Sequence, residues 1–161
     1  MISQTAEYAL RVVVYLASLS GRPATTAQIA SATKTPSGYL PKILRSLARG
    51  GLVQSQRGLY GGSKLTRSPS EMTVWDVIDV VDPIQRIRTC PLGLKSHGVV
   101  LCPLHHRLDS AIATVENAFR TTTIAEVVAE PSRSKPLTED IPTEPAAGLV
   151  PVHILRKKAQ N

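Results

Sequence analysis

Two cysteines lie within residues 84–102, a stretch with no clear helical or strand period. Cys90 and Cys102 are each followed by a proline, and His97, His105 and His106 are close to them in the chain. Thiolates and imidazoles are ligands for transition metals, and paired thiols can act as a redox switch. Isolated cysteines also occur as small buried apolar residues, and histidines as ordinary surface residues. The pattern therefore predicts a metal site or a thiol switch here, with a site-free loop as the alternative.

The expected compartment bears on the cysteine chemistry. Arg11 precedes the apolar run 12–19, but Glu7 stands where a secretory signal carries positive charge, and no small-residue cleavage site follows. No apolar stretch approaches the ~20 residues that a membrane-spanning helix needs. We expect a cytoplasmic protein without a membrane partner, in which thiols or metal ligands are favoured over a structural disulfide.

Positive charge is concentrated in the first half of the chain. The 161 residues carry a net charge of +7, and residues 1–70, with nine Lys or Arg residues and Glu7 as their one acid, carry +8 by themselves. A polyanion is the natural partner of such a surface, because neutralising phosphates releases their counterions. The basic residues of this half are Arg11, Arg22, Lys34, Lys42, Arg45, Arg49, Arg57, Lys64 and Arg67.

Several segments of this half predict a helix-turn-helix. Apolar spacing predicts a first helix from Thr5 to about Ser20 and a short second one over 27–32, capped by Thr25 or Thr26. A turn at 35–38 leads to a helix with Pro41 in its first turn. Its apolar stripe is Leu40, Ile43, Leu44 and Leu47. The opposite face presents Lys42, Arg45 and Arg49, as expected of a helix that enters the major groove.

The next segment, LVQSQRGLYGGSKLT, predicts a β-hairpin. Residues 52–56 and 63–66 have strand character, and the loop between them contains Gly58, Gly61 and Gly62. A glycine-rich hairpin directly after a recognition helix is typical of a wing, whose backbone can approach phosphates closely.

The remaining chain predicts helices and a tail. Ser68 is expected to start a helix that continues through 72–82 and ends before Pro83. A long helix is expected from Pro103, with a stripe too long for one small domain to cover, so pairing with a second copy is predicted. Thr122 or Thr123 should cap a final helix through Ala129. The stripe of the long helix is Leu104, Leu108, Ala111, Ile112, Val115 and Phe119.

These elements predict a mainly α fold with a small β wing, a winged helix-turn-helix domain joined to a long dimerisation helix. The predicted organisation is a DNA-binding domain over 1–83, a cysteine-containing sensor loop over 84–102, the dimerisation and final helices over 103–129, and a flexible tail over 130–161.

Three segments resemble the Rrf-type bacterial transcriptional regulators, the winged-helix family that includes IscR and NsrR. They are EYALRVVVYLA, YLPKILRSLARGGLVQSQRGLYGG and TVWDVIDVVD, and the resemblance extends from residue 2 to about residue 129. It implies a dimeric winged-helix regulator of transcription.

The resemblance also implies a sensor. Family members with an iron-sulfur cluster use three cysteines spaced C-x5-C-x5-C, and here Cys90 and Cys102 match the outer two while Ser96 replaces the middle one. His105 matches a further ligand of some members, and Glu7 matches a carboxylate supplied by the partner's first helix in others. Together these four residues would supply the ligands of a [2Fe-2S] cluster. A thiol switch through the two cysteines, another metal such as zinc, or a cofactor-free regulator are the alternatives.

The predicted function is therefore a dimeric, sequence-specific DNA-binding regulator, a repressor, that senses redox state, nitric oxide or iron-sulfur status. A small redox or electron-transfer protein is the alternative of another class, but the chain has no C-x-x-C and no nucleotide-binding glycine fingerprint. We expect no enzyme activity. Another alternative is a winged helix used only for protein assembly, which would not need a basic recognition face. The expected DNA contacts are Thr26, Gln28, Ser37, Tyr39, Lys42, Arg45, Arg49, Arg57, Tyr60 and Lys64.

Overall fold

A computed structural model of the chain describes residues 2–58, 61–94, 96, 100–132, 134 and 136–137. Tyr60, His97 and most of the predicted tail lie outside the described residues. In chain order the elements are α1 (Gln4–Ser18), α2 (Thr26–Thr33), α3 (Leu40–Arg49), β1 (Val53–Gln56), β2 (Gly62–Leu65), a 3-10 turn (Pro69–Glu71), α4 (Val74–Val81), α5 (Pro103–Thr121) and α6 (Ile124–Ala129).

Helix α1 is the centre of the core. It begins at a capping serine, Ser3, whose hydroxyl accepts a hydrogen bond from the Ala6 amide. Because it contacts α2, α3, α4 and α6, more of its circumference is covered than one amphipathic stripe predicts. Leu10 and Ala17, two of the apolar residues whose helical spacing predicted this helix, are only half-buried. The buried residues are Ala6, Ala9, Val12, Val13, Val14 and Leu16.

The helix-turn-helix has the predicted form. Thr25 caps α2 in a capping box with Gln28, and Lys34 ends the helix in the left-handed conformation, at a φ of +53°. Pro41 lies in the first turn of α3, where its missing N–H has no helical partner to lose. The predicted stripe of α3 is confirmed, since Leu40, Ile43, Leu44 and Leu47 are all buried.

The predicted wing is an antiparallel hairpin in which Val53 pairs with Leu65 and Gln56 with Gly62. The segment before α2 also pairs with β2, through a single residue. Ala24 and Ser63 exchange two backbone hydrogen bonds of 3.0 and 2.8 Å, which attaches the hairpin to the helix-turn-helix. Gly62 is required at this approach: its φ is +152°, and a Cβ there would lie 2.6 Å from the Ala24 carbonyl oxygen.

The expectation of one helix starting at Ser68 was wrong. The 3-10 turn ends at Glu71. Met72 after it is extended and fully buried, and α4 starts separately with its own capping box between Thr73 and Asp76. Tertiary pairing explains the interruption. The Met72 carbonyl accepts from the Ile124 amide at 2.8 Å, and Thr73 pairs with Thr123.

Helices α5 and α6 differ in how they meet the core. Across Pro103–Thr121, all of which the structure describes, no side chain is buried, and Leu104 and Leu108 are 64% and 47% exposed. Thr123 caps α6 as predicted, and Ile124 is fully buried in the same core as α1. The final helix therefore packs into the N-terminal unit, a feature that the predicted organisation did not include.

The fold is mainly α with one small antiparallel sheet, as predicted. In the part of the chain that the structure describes, no helix has the length and apolar character needed to cross a membrane. The predicted organisation of the chain stays a prediction.

Candidate nucleic-acid interface and cysteine loop

The outer face of α3 is basic and open to solvent. Lys42, Arg45 and Arg49 are exposed, while the four leucine and isoleucine side chains on the other side of the helix are buried. Ser37, in the turn before α3, is exposed as well. Three basic side chains therefore project from the exposed face of a single helix, and a single helix fits the major groove of DNA.

Tyr39, a predicted DNA contact, is held at its polar end by the protein itself. Its side chain is half-buried, and its hydroxyl lies 2.7 Å from Thr5 Oγ1 of α1. Its ring packs edge-on against Tyr8, with the centroids 6.1 Å apart. The hydroxyl is thus engaged within the protein.

The wing and α2 flank α3 with further donors. Arg57 is exposed at the end of β1, and Lys64 is half-buried opposite Gln54. Thr26 and Gln28 are exposed at the start of α2. Gln28 Oε1 accepts from the Thr25 amide at 2.8 Å, so the NH2 end of Gln28 is the end suited to a phosphate oxygen.

Glu7, a predicted metal ligand, is engaged in an ion pair. Arg11 Nη2 lies 2.6 Å from Glu7 Oε1, one helical turn along α1. Arg11 Nη1 also donates to the Thr33 carbonyl at 3.2 Å, at the end of α2. The pair therefore joins α1 to the first helix of the helix-turn-helix.

The predicted cysteine ligands lie in different surroundings. Cys90 is 8% exposed, whereas Cys102 precedes α5 and its Sγ lies 3.3 Å from His105 Nδ1. Within the described residues of one chain, no three His, Cys, Asp or Glu side chains are grouped so that they could hold a metal ion. One chain alone therefore presents the Cys102–His105 pair and does not fit a four-ligand cluster. Ser96 is exposed.

An ion-pair network that the sequence did not reveal ties the cysteine loop to α5. Arg86 donates to both carboxylate oxygens of Asp109, at 2.7 and 2.6 Å, and the Ile87 amide donates to the same side chain at 2.9 Å. The Arg86 hydrogen bonds lower the pKa of Asp109 from 3.8 to about 2. Glu116 joins the network 3.6 Å from Arg86 Nη1, and its pKa is lowered mainly by a hydrogen bond from Arg120.

The same network reaches α4. The Arg120 guanidinium lies 4.4 Å from the ring centroid of Trp75, which is buried. Glu116 and Arg120 are an i, i+4 pair that a helix places together. Arg86 and Asp109 are 23 residues apart, and no local pattern links them.

Known proteins resemble this chain over nearly all of the residues that the structure describes. The family model Rrf2, described as an iron-dependent transcriptional regulator, matches residues 2–130. A Mycobacterium tuberculosis protein named as an HTH-type transcriptional regulator is 33% identical over 128 residues, which are 78% of this chain and 80% of its own. Protein aau3 of Rhizobium meliloti is 32% identical over 120 residues, 73% of this chain and 75% of its own.

Solved structures share the fold. CymR, the global cysteine regulator of B. subtilis, superposes with a TM-score of 0.67 at 24% identity, covering 82% of this chain and 98% of its own. IscR of T. potens gives a TM-score of 0.65 at 22% identity, covering 83% and 93%. Both neighbours are winged-helix proteins, so the likeness establishes the architecture.

The Arg86–Asp109 contact predicts a defined acid sensitivity. Since the pKa of Asp109 is lowered from 3.8 to about 2, its contribution to the free energy of unfolding is complete above pH 3.8 and is lost as the pH falls towards 2. Asp109→Asn removes this charge at every pH, so we expect a lower urea midpoint above pH 4 and a shallower decline below it. Urea unfolding at fixed protein concentration, measured along a pH series, tests this. Asp82→Asn, an exposed carboxylate outside the network, is the control, and equal pH profiles for wild type and Asp109→Asn would contradict the prediction.

Proposed function

Because the chain belongs to the Rrf2 family of DNA-binding transcriptional regulators, we propose that it binds its operator as a symmetric dimer with α3 in the major groove. The observation that carries the proposal is the exposed triad Lys42, Arg45 and Arg49, opposite the buried stripe of α3. We propose repression as the mode of regulation. The family is one of transcriptional regulators, and this weighs against the redox-enzyme alternative.

The proposed contacts divide by chemistry. The guanidinium of Arg45, midway along α3, is the group best suited to bidentate recognition of a guanine edge. Lys42, Arg49 and the wing residue Arg57 supply phosphate contacts, as does Lys64. Thr26, Gln28 and Ser37 add uncharged donors next to the same backbone, and Tyr60 of the hairpin loop stays a predicted contact.

Dimerisation through α5 follows from its uncovered stripe. Leu104 and Leu108 are exposed on one side of a 19-residue helix with no buried side chain, and Val100 just before it is 74% exposed. A second copy is the occupant that we propose, because the same stripe is present on each and a twofold axis lets each cover the other. Twofold symmetry also places two α3 helices for successive major grooves, about 34 Å apart.

Regulation through the cysteine loop is the second part of the proposal. The Cys102–His105 pair and the family's description as iron-dependent support a metal-responsive site. The [2Fe-2S] hypothesis has Cys90, Cys102 and His105 as ligands, with Glu7 contributed by a second copy. It requires Cys90 to join the pair, and Glu7 either to bind through Oε2 or to exchange its Arg11 contact at Oε1 for the cluster. A thiol switch through Cys90 and Cys102 is the alternative, and it needs no iron.

Arg45→Ala is expected to weaken operator binding by roughly 5- to 150-fold, because a base-edge contact is lost while the buried face of α3 is untouched. The probe is a duplex that the wild-type protein enriches from a random library, titrated by fluorescence anisotropy at fixed salt. Arg88→Ala removes an equal charge from an exposed position of the cysteine loop and should bind as the wild type does. Unchanged affinity in Arg45→Ala would mean that another face meets the DNA, and salt-independent binding would favour a protein-assembly role.

Leu108→Glu is expected to produce a monomer, because a charge would have to be buried without a partner in the α5 pairing. Sedimentation velocity over a concentration series measures the change. Ser110→Glu, on the exposed polar side of the same helix, introduces the same charge and should leave the dimer intact. A Leu108→Glu protein that sediments as a dimer would remove α5 as the interface.

The iron hypothesis has a direct test. Protein purified without oxygen should be coloured and contain iron, and Cys102→Ala should lose both the visible absorbance and the iron, since a thiolate ligand is removed. Ser96→Ala should retain both, because a serine hydroxyl is not among the proposed ligands. A colourless, iron-free protein that cannot be reconstituted would eliminate the cluster and leave the thiol switch.

A further inference from the structure

We propose that Tyr39 acts on DNA binding through Lys42, as a positioning residue held in place by α1. This inference rests on the proposed function of α3. Its basis is that the Tyr39 ring contacts both α1 and Lys42, a residue of the basic face of α3.

The ring of Tyr39 is fixed by two contacts to α1. Its hydroxyl is hydrogen-bonded to Thr5 Oγ1 at 2.7 Å, and its edge-on contact with Tyr8 has an interplanar angle of 65°. Such edge-to-face pairs are favoured by the quadrupoles of the two rings. The side chain is half-buried, and these two contacts together restrict the position of the ring.

Tyr8 is itself held from both sides. Gln4 Nε2 donates to the Tyr8 hydroxyl at 3.0 Å, and the Arg11 guanidinium lies 5.5 Å from the Tyr8 centroid. Arg11 is in turn anchored by Glu7 and by the Thr33 carbonyl. The support beneath Tyr39 therefore extends over two turns of the central helix.

Lys42 contacts the same ring. Its Nζ is 5.6 Å from the Tyr39 centroid, within the range of a cation–π interaction. The Lys42 amide also donates to the Tyr39 carbonyl at 3.1 Å, in the first turn of α3. The ring thus restricts the positions of an ammonium group that would otherwise rotate freely. It does so near the N-terminal end of α3, the helix proposed to lie in the major groove.

The consequence concerns affinity. A lysine side chain loses conformational freedom when it is fixed on a phosphate, and a side chain that is already restricted loses less. Tyr39 should therefore contribute to binding only as long as Lys42 carries its charge. A tyrosine that touched DNA directly would contribute with or without Lys42.

A double-mutant cycle separates these two roles. Tyr39→Leu removes the ring, and Lys42→Gln removes the charge at similar length. With the duplex enriched by the wild-type protein, at fixed salt, we expect Tyr39→Leu to weaken binding about two- to fivefold. In the Lys42→Gln background we expect its effect to fall to within about 1.5-fold. Tyr39→Phe keeps the ring and should stay within about twofold of the wild type. Equal losses in both backgrounds would overturn the proposal.

A second measurement does not depend on DNA or on how well Tyr39→Leu folds. The ring should shift the ε-methylene proton resonances of Lys42 upfield in the free wild-type protein, with Lys42→Gln used to assign them. Resonances at the random-coil position would overturn the proposal. The proposed interface fails separately, if the wild type selects no duplex or Arg45→Ala binds as the wild type does.

Discussion

Burial of one side of α3 decides where the positive charge of this protein lies. Leu40, Ile43, Leu44 and Leu47 are buried in the core, and α3 packs against α1 and α4. Once that side is inside, the helical repeat leaves Lys42, Arg45 and Arg49 no position except the surface. The surface proposed to face DNA is thus a consequence of hydrophobic packing, and loosening the core would displace the charges together.

Local patterns predicted the parts of the structure that local physics controls. The period of α3, the threonine caps and the glycines of the hairpin each act within a few residues, so the sequence was sufficient for them. The break at Met72 and Thr73 depends on pairing with residues 123 and 124, and the Arg86–Asp109 pair spans 23 positions. The hydrogen bond between Tyr39 and Thr5 joins residues 34 positions apart, so no local pattern could predict it.

Two separate sets of ion pairs join different parts of this chain. Asp109 and Glu116 hold Arg86, and through it the cysteine loop, on α5. Glu7 holds Arg11, which reaches the end of α2. Both Arg11 contacts are to Oε1 of Glu7, so a ligand at that oxygen would compete with Arg11. The cysteine loop is therefore held on α5 by one set of charged contacts, and α2 of the helix-turn-helix is held on α1 by another.

The placement of α6 changes how the chain divides into modules. The backbone leaves the core after α4, runs through the cysteine loop and α5, and returns so that Ile124 is fully buried beside α1. In topological terms the cysteine loop and α5 are an insertion within a domain, and both ends of the insertion are anchored in that domain. A fragment that stopped after α4 would lack one wall of its hydrophobic core. The segment proposed to sense and to dimerise is therefore inseparable, in folding terms, from the segment proposed to bind DNA.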